Sequence, residues 1–175
     1  MQSSQPMVTL TINRDPVHPG DDLKSHEKSI VVSPDTSISQ VLKEIQPKWY
    51  LPHMGGKATW IFGTLRSQES RFREPNPYWI EKSLAVVAEQ WREPRFLLSP
   101  ETSITECLNP DNFGKLHFHY WNQMDSTDVF ERLQAGLPPP DPFLDAEPIH
   151  QSARPQQMAR RGWRTRWLRL KDLLR

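Results

Sequence analysis

Cysteine is nearly absent. Cys107 stands alone among 175 residues, which excludes an internal disulfide framework and any zinc site built from several thiolates. A reducing, cytoplasmic setting is therefore expected. No window holds eighteen consecutive apolar residues, so no transmembrane helix is expected. Met1 to Pro6 is polar and carries no apolar signal core. A Ser nucleophile elbow, a Walker loop and a His-Glu-x-x-His pair are all missing, so the sequence names no reaction. Apolar residues are scarce as well, at 36%, with mean hydropathy −0.70, whereas prolines number 17. Part of the chain is not expected to join a packed core.

The near-neutral total of +1 hides an asymmetry. Residues 150–175 carry Arg154, Arg160, Arg161, Arg164, Arg166, Arg169, Lys171 and Arg175 against Asp172 alone, a surplus of +7. The other 14 basic and 20 acidic residues leave −6 on the remainder. A mildly acidic body with a basic tail points to an acidic partner, a membrane surface or docking back on the body.

Along the chain, Val8–Ile12 alternates apolar and polar residues, as a strand with one buried face does. A carboxylate-rich turn, Asp15–Asp22, leads to a second short strand, Ser29–Val32. Ser37 and Gln40 have capping-box spacing, and Ile38, Val41, Leu42 and Ile45 form one helical stripe that Pro47 ends. Thr59–Phe62, Leu84–Ala88, Arg95–Leu98 and Leu116–Trp121 read as further strands. The charged stretch 64–82 reads as an inserted loop. Asp125 or Ser126 begins a short helix bearing Val129, Phe130 and Leu133, closed by Gly136. From Val31 to Leu42 the pattern is echoed at Leu97–Leu108, including a second capping box at Ser103 and Glu106. One composite body is expected rather than two tandem units.

The expected layout is a flexible N-terminus (1–6), a body (7–137) containing the loop 64–82, a Pro-rich linker (138–155) and a basic amphipathic helix (156–175). The linker prediction rests on Pro138-Pro139-Pro140, which favours an extended, semi-stiff chain.

These segments resemble the ubiquitin-like, β-grasp superfamily. Val8–Ile12 and Ile30–Val32 match its hairpin, Ser33–Ile45 its junction and helix, Trp60–Gly63 its third strand, and Glu101–Leu108 with Lys115–Tyr120 its late helical turn and last strand. The likeness covers about residues 7–121, interrupted near 64–94. It implies an α+β fold with a mixed sheet and one main helix. It also implies a partner-binding outer sheet face, here Ile61, His117, His119 and Trp121. The family's terminal Gly-Gly is not matched: Gly55-Gly56 is internal and the last residues are Leu173-Leu174-Arg175. Covalent conjugation is therefore not expected.

His117 and His119 share one strand face, a workable start for metal ligation that needs a third ligand. The sequence fixes none nearby. The carboxylates of Asp15, Asp21 and Asp22 read as a solvated turn, so no metal and no cofactor is expected. Cys107 takes the apolar position of Val41 in the echo and reads as core rather than nucleophile. Trp49, Trp60, Trp79, Trp91 and Trp121 are expected to pack in or around the body, with Pro75-x-Pro77-Tyr78-Trp79 the alternative exposed anchor.

In the tail, Trp163, Trp167, Leu170 and Leu174 fall within about 60° of one another on a helix. Arg160, Arg161, Arg164 and Lys171 lie elsewhere around it. A helix this short needs something to cover its apolar stripe. The favoured cover is a partner protein, ahead of an anionic membrane and nucleic acid. The expected function is a non-catalytic protein–protein adaptor that tethers partners through the sheet face and the tail. The alternatives are a membrane-surface or nucleic-acid-binding accessory factor, or an accessory component of a ubiquitin-like conjugation or sulfur-transfer pathway.

Overall fold

The computed structural model describes residues 6–18, 20, 25–65, 80–108 and 114–141. All but Pro6 of the expected flexible N-terminus, most of the loop 64–82, the linker beyond Asp141 and the tail helix lie outside these residues. The described residues belong to one compact unit, Met1–Leu144.

Six strands form one mixed sheet: β1 (Val8–Arg14), β2 (Lys28–Val32), β3 (Thr59–Leu65), β4 (Ile80–Ala88), β5 (Arg95–Phe96) and β6 (Lys115–Tyr120). Their order across the sheet is β2-β1-β6-β3-β4-β5. β1 and β6 run parallel and every other neighbouring pair is antiparallel. The fold is therefore α+β. The helices are α1 (Ile38–Ile45), α2 (Pro47–Tyr50), α3 (Ile104–Cys107) and α4 (Ser126–Gln134).

Side-chain alternation decides what each face does. Leu10 and Ile12 on β1, Ile30 and Val32 on β2, and Leu116 and Phe118 on β6 turn to the α1 side. There they meet Ile38, Val41, Leu42 and Ile45 in the main core. α1 starts where the sequence places it. The Ser37 Oγ accepts from Gln40 N–H at 3.3 Å, and Gln40 Oε1 accepts from Ser37 N–H at 3.0 Å. Gln46 ends it in the left-handed region, φ 55°, and Pro47 opens α2.

The two echoed segments lie against each other. Ser37 and Ser103 form an antiparallel bridge, Ile38 N–H donates to Thr102 O, and Ile104 N–H donates to Thr36 O at 2.8 Å. Each junction thus satisfies amides of the other, which is a physical reason for both to carry the same Ser-Pro-acid-Thr-Ser-Ile run. Cys107 is buried in the main core beside Ile104, and burial pushes its thiol up.

The other sheet face differs from the expectation. An exposed patch around Ile61 and Trp121 is corrected: α4 lies over it. Ile61, Val86, Trp121 and Val129 form a second core, flanked by Trp91, Phe130 and Leu133. Ile61 is 2% exposed and Trp121 1%. Asp125 fixes the helix start, its Oδ1 accepting from Thr127 and Asp128 N–H. Three smaller differences accompany it. β3 and β4 extend into the ends of the expected loop, at Thr64–Leu65 and Ile80–Lys82. β5 is only two residues long rather than four. Pro140, expected in the linker, is buried and accepts the Trp121 indole N–H at 2.7 Å.

β3 is covered on both sides, which explains its unbroken run of buried residues from Thr59 to Thr64. Gly63 makes this possible at a register shift against β4, since a Cβ there would collide with the Lys82 carbonyl oxygen and with Ile80. Gly63→Ala is expected to cost about 1–3 kcal/mol, read as a lower urea midpoint with an unchanged slope. An unchanged midpoint contradicts the packing described.

Candidate functional site

Two features of the body bring chemistry together. The first lies at the β1–β6 pair. Leu116 and Phe118 point into the core, so His117 and His119 point to the opposite face. The parallel register sets Asn13 beside His117 and Arg14 beside Phe118. The next residue, Asp15, continues the ladder by donating its N–H to Phe118 O at 3.0 Å. Its carboxylate thereby lands between the two imidazoles. Oδ1 lies 2.6 Å from His117 Nε2, and Oδ2 contacts His119 Nδ1 and accepts from Tyr120 N–H at 3.0 Å. The side chains are 26%, 14% and 16% exposed for Asp15, His117 and His119.

Burial alone raises the Asp15 carboxyl. Hydrogen bonds and charge from His117 and His119 outweigh it and hold the group well below the usual carboxylate range. The His119 ring meets Trp121 edge-on at 5.2 Å, which fixes the outer side of the cluster. The two histidines are thus largely covered rather than half-exposed on an open sheet face. The third polar group that sequence spacing did not supply is Asp15, 102 residues away from His117.

The second feature is a groove on the α1 side, about 930 Å³ in volume. One wall is Leu42, Pro47, Trp49 and Leu51; the other includes Trp60, Val87, Trp91 and Phe96. Lys43, Lys48, Arg92, Glu93 and Glu101 border it. Trp49 is 87% exposed, which corrects the expectation that it packs into the body. α2 is a single turn with no buried residue, so it has no core position to give an indole. Trp60 is buried and its indole N–H has no partner among the described residues.

Glu89, at the end of β4, holds the loop between α2 and β3. Its carboxylate accepts from the N–H of Met54 and of Ala58, and lies 2.8 Å from His53 Nδ1. Burial raises its pKa, but the hydrogen bonds from Ala58 and Met54 and the charge of His53 prevail, and the net direction is down. Arg95 stacks over Trp91 at 4.1 Å and ties the groove wall to α4 through Phe130. Glu89 did not stand out in the sequence, because a lone Glu after a strand carries no spacing signal, and Trp49 stood out only as one of the tryptophans expected to pack in or around the body.

Of the residues singled out in the tail, Arg160, Arg161, Trp163, Arg164, Trp167, Leu170, Lys171 and Leu174 lie outside the described residues. No protein-family model, no curated protein and no solved structure matches the chain.

Glu89 sets a pH dependence whose sign is fixed. Its folded pKa lies below the unfolded value, about 4.3. Its contribution is therefore complete above that pH and is lost as pH falls through the folded value. Glu89→Gln is expected to remove this acid dependence and to speed amide exchange at Met54 and Ala58. Equal exchange in both proteins contradicts the clamp.

Proposed function

We propose that this protein is a non-catalytic interaction module: a ubiquitin-like β-grasp body and a basic C-terminal segment that hold two partner surfaces together. The likeness to the β-grasp superfamily is supported by a β1–β2 hairpin, a helix following it onto the sheet, and a last strand parallel to β1 in the middle of the order β2-β1-β6-β3-β4-β5. The single buried cysteine goes with a reducing, cytoplasmic setting.

The observation that carries the reading is Trp49. An indole left 87% exposed on the rim of an apolar groove is costly surface for a free protein and a strong anchor for a bound one. A protein segment with apolar side chains suits that anchor. This moves the body's contact surface from the outer sheet face, where Ile61 and Trp121 are covered by α4, to the α1 side. The tail supplies the second contact through Trp163, Trp167, Leu170 and Leu174, with arginines around them. A proline-containing connection holds the two at high effective concentration.

Two variants test this. Trp49→Ala is expected to weaken partner binding by roughly 30-fold, as loss of a hot spot of about 2 kcal/mol does, with the melting temperature unchanged. A chain ending at residue 151 is expected to keep the body's melting temperature and to lose one of two partners found by photo-crosslinking through positions 49 and 163. If that truncation unfolds the body, or if Trp49→Ala leaves every crosslinked partner bound, the tethering reading is wrong. Tail binding that falls steeply with added salt and is competed by RNA would assign the tail to nucleic acid instead.

A further inference from the structure

We propose that Asp15, His117 and His119 form a binding site for a divalent transition-metal ion of the zinc class. One donor atom from each of the three residues comes within 4.8 Å of the others. Around a four-coordinate ion with bonds near 2.1 Å, donors stand about 3.4 Å apart, so small side-chain rotations bring these three into place. Two imidazole nitrogens and one carboxylate oxygen suit zinc and its neighbours. Calcium and magnesium favour oxygen ligands.

The donors are held from the backbone. His117 and His119 flank Phe118, which is fully buried and therefore fixes their direction. Asp15 is pinned by its own N–H on Phe118 O and by Tyr120 N–H on Oδ2. Such support is what a metal-binding shell needs beyond its ligands. Without a metal one carboxylate serves both imidazoles, Oδ1 facing His117 Nε2 and Oδ2 facing His119 Nδ1. A metal ion replaces protons shared between these groups with one cation that all three bind, and protons leave to solvent as it enters.

An entry route is present. A cleft of about 280 Å³ beside Asp15 and His117 is lined also by Asn13, Glu27 and Lys115. Three protein ligands leave a coordination position for water or for an anionic group of another molecule. The site joins the end of β1 to β6, so an ion there cross-links the parallel pair at the centre of the sheet. The inference rests on this cluster alone and is independent of the groove and of the tail.

The test uses the full chain freed of metal with a chelator. Calorimetric titration with Zn²⁺ is expected to show one equivalent bound at micromolar or tighter affinity. Co²⁺ is expected to give the visible bands of a low-symmetry site. His117→Gln, His119→Gln and Asp15→Asn are each expected to weaken binding by roughly 100-fold or more, at or beyond the upper end of the 10- to 100-fold typical of losing a supporting bond. His53→Gln is expected to change nothing. Should any of these variants fail to fold, imidazole ¹⁵N shifts of the unaltered protein decide instead: those of His117 and His119 should move together, complete at one equivalent of Zn²⁺. Binding weaker than millimolar, binding unaffected by the three substitutions, or shifts confined to other histidines would each overturn the proposal.

Discussion

Everything distinctive about this body depends on β6 lying in the middle of the sheet, parallel to β1 and antiparallel to β3. A strand with neighbours on both sides has no freedom of register, and its side chains must alternate. Leu116 and Phe118 are committed to the main core, where Phe118 packs at 4.6 Å from Phe62 and 5.7 Å from Tyr50. His117 and His119 are consequently committed to the other face. The parallel pairing then decides which residue at the end of β1 meets them, and that residue is Asp15, the next after the strand. A one-residue slip would put the histidines into the core and the phenylalanine into the polar cluster.

The same sheet is covered unequally on its two faces, and this inequality creates the functional features. On one face α1 covers the β1, β2 and β6 side chains, but its turn at Gln46 and Pro47 sends the chain away. A groove remains between that turn and the β4–β5 end, with Trp49 on its rim. On the other face α4 covers β3 and β4 through Ile61, Val86 and Val129, while Thr9 and Val31 on the β1–β2 side stay exposed. The Asp15–His117–His119 cluster lies at the boundary between the covered and uncovered parts, sheltered by Trp121. Three further hydrogen bonds hold the surrounding chain. Pro140 O accepts the Trp121 indole, and Glu89 clamps the Met54–Ala58 loop.

Much of the architecture is legible in the residues. Val8–Ile12 and Leu116–Trp121 show strand alternation, Ser29–Val32 is short and β-branched, and Ser37 with Gln40 announces α1 down to its cap bonds. The echo at Ser33 and Ser99 marks two junctions that turn out to bond to each other. These are local signals, set by periods of two or 3.6 residues and by amides that need acceptors. What the residues do not disclose is non-local. Nothing near His117 points to a carboxylate 102 positions earlier. The amphipathic stripe of α4 shows that the helix must bury Val129, but not that it does so against Ile61 and Trp121. Trp49 reads as core by its chemistry. Only the brevity of α2 and the fold of the α2–β3 loop leave it outside.

The convergence of Asp15 with both histidines is the point on which the account can be examined most directly. Replacing Asp15 with Asn and recording the amide and imidazole resonances of the full chain does this. The account predicts simultaneous changes at His117, His119 and the Tyr120 amide, with Trp49 and the groove residues unmoved. If only one histidine responds, or if the changes spread evenly through the sheet, β6 does not hold the register described.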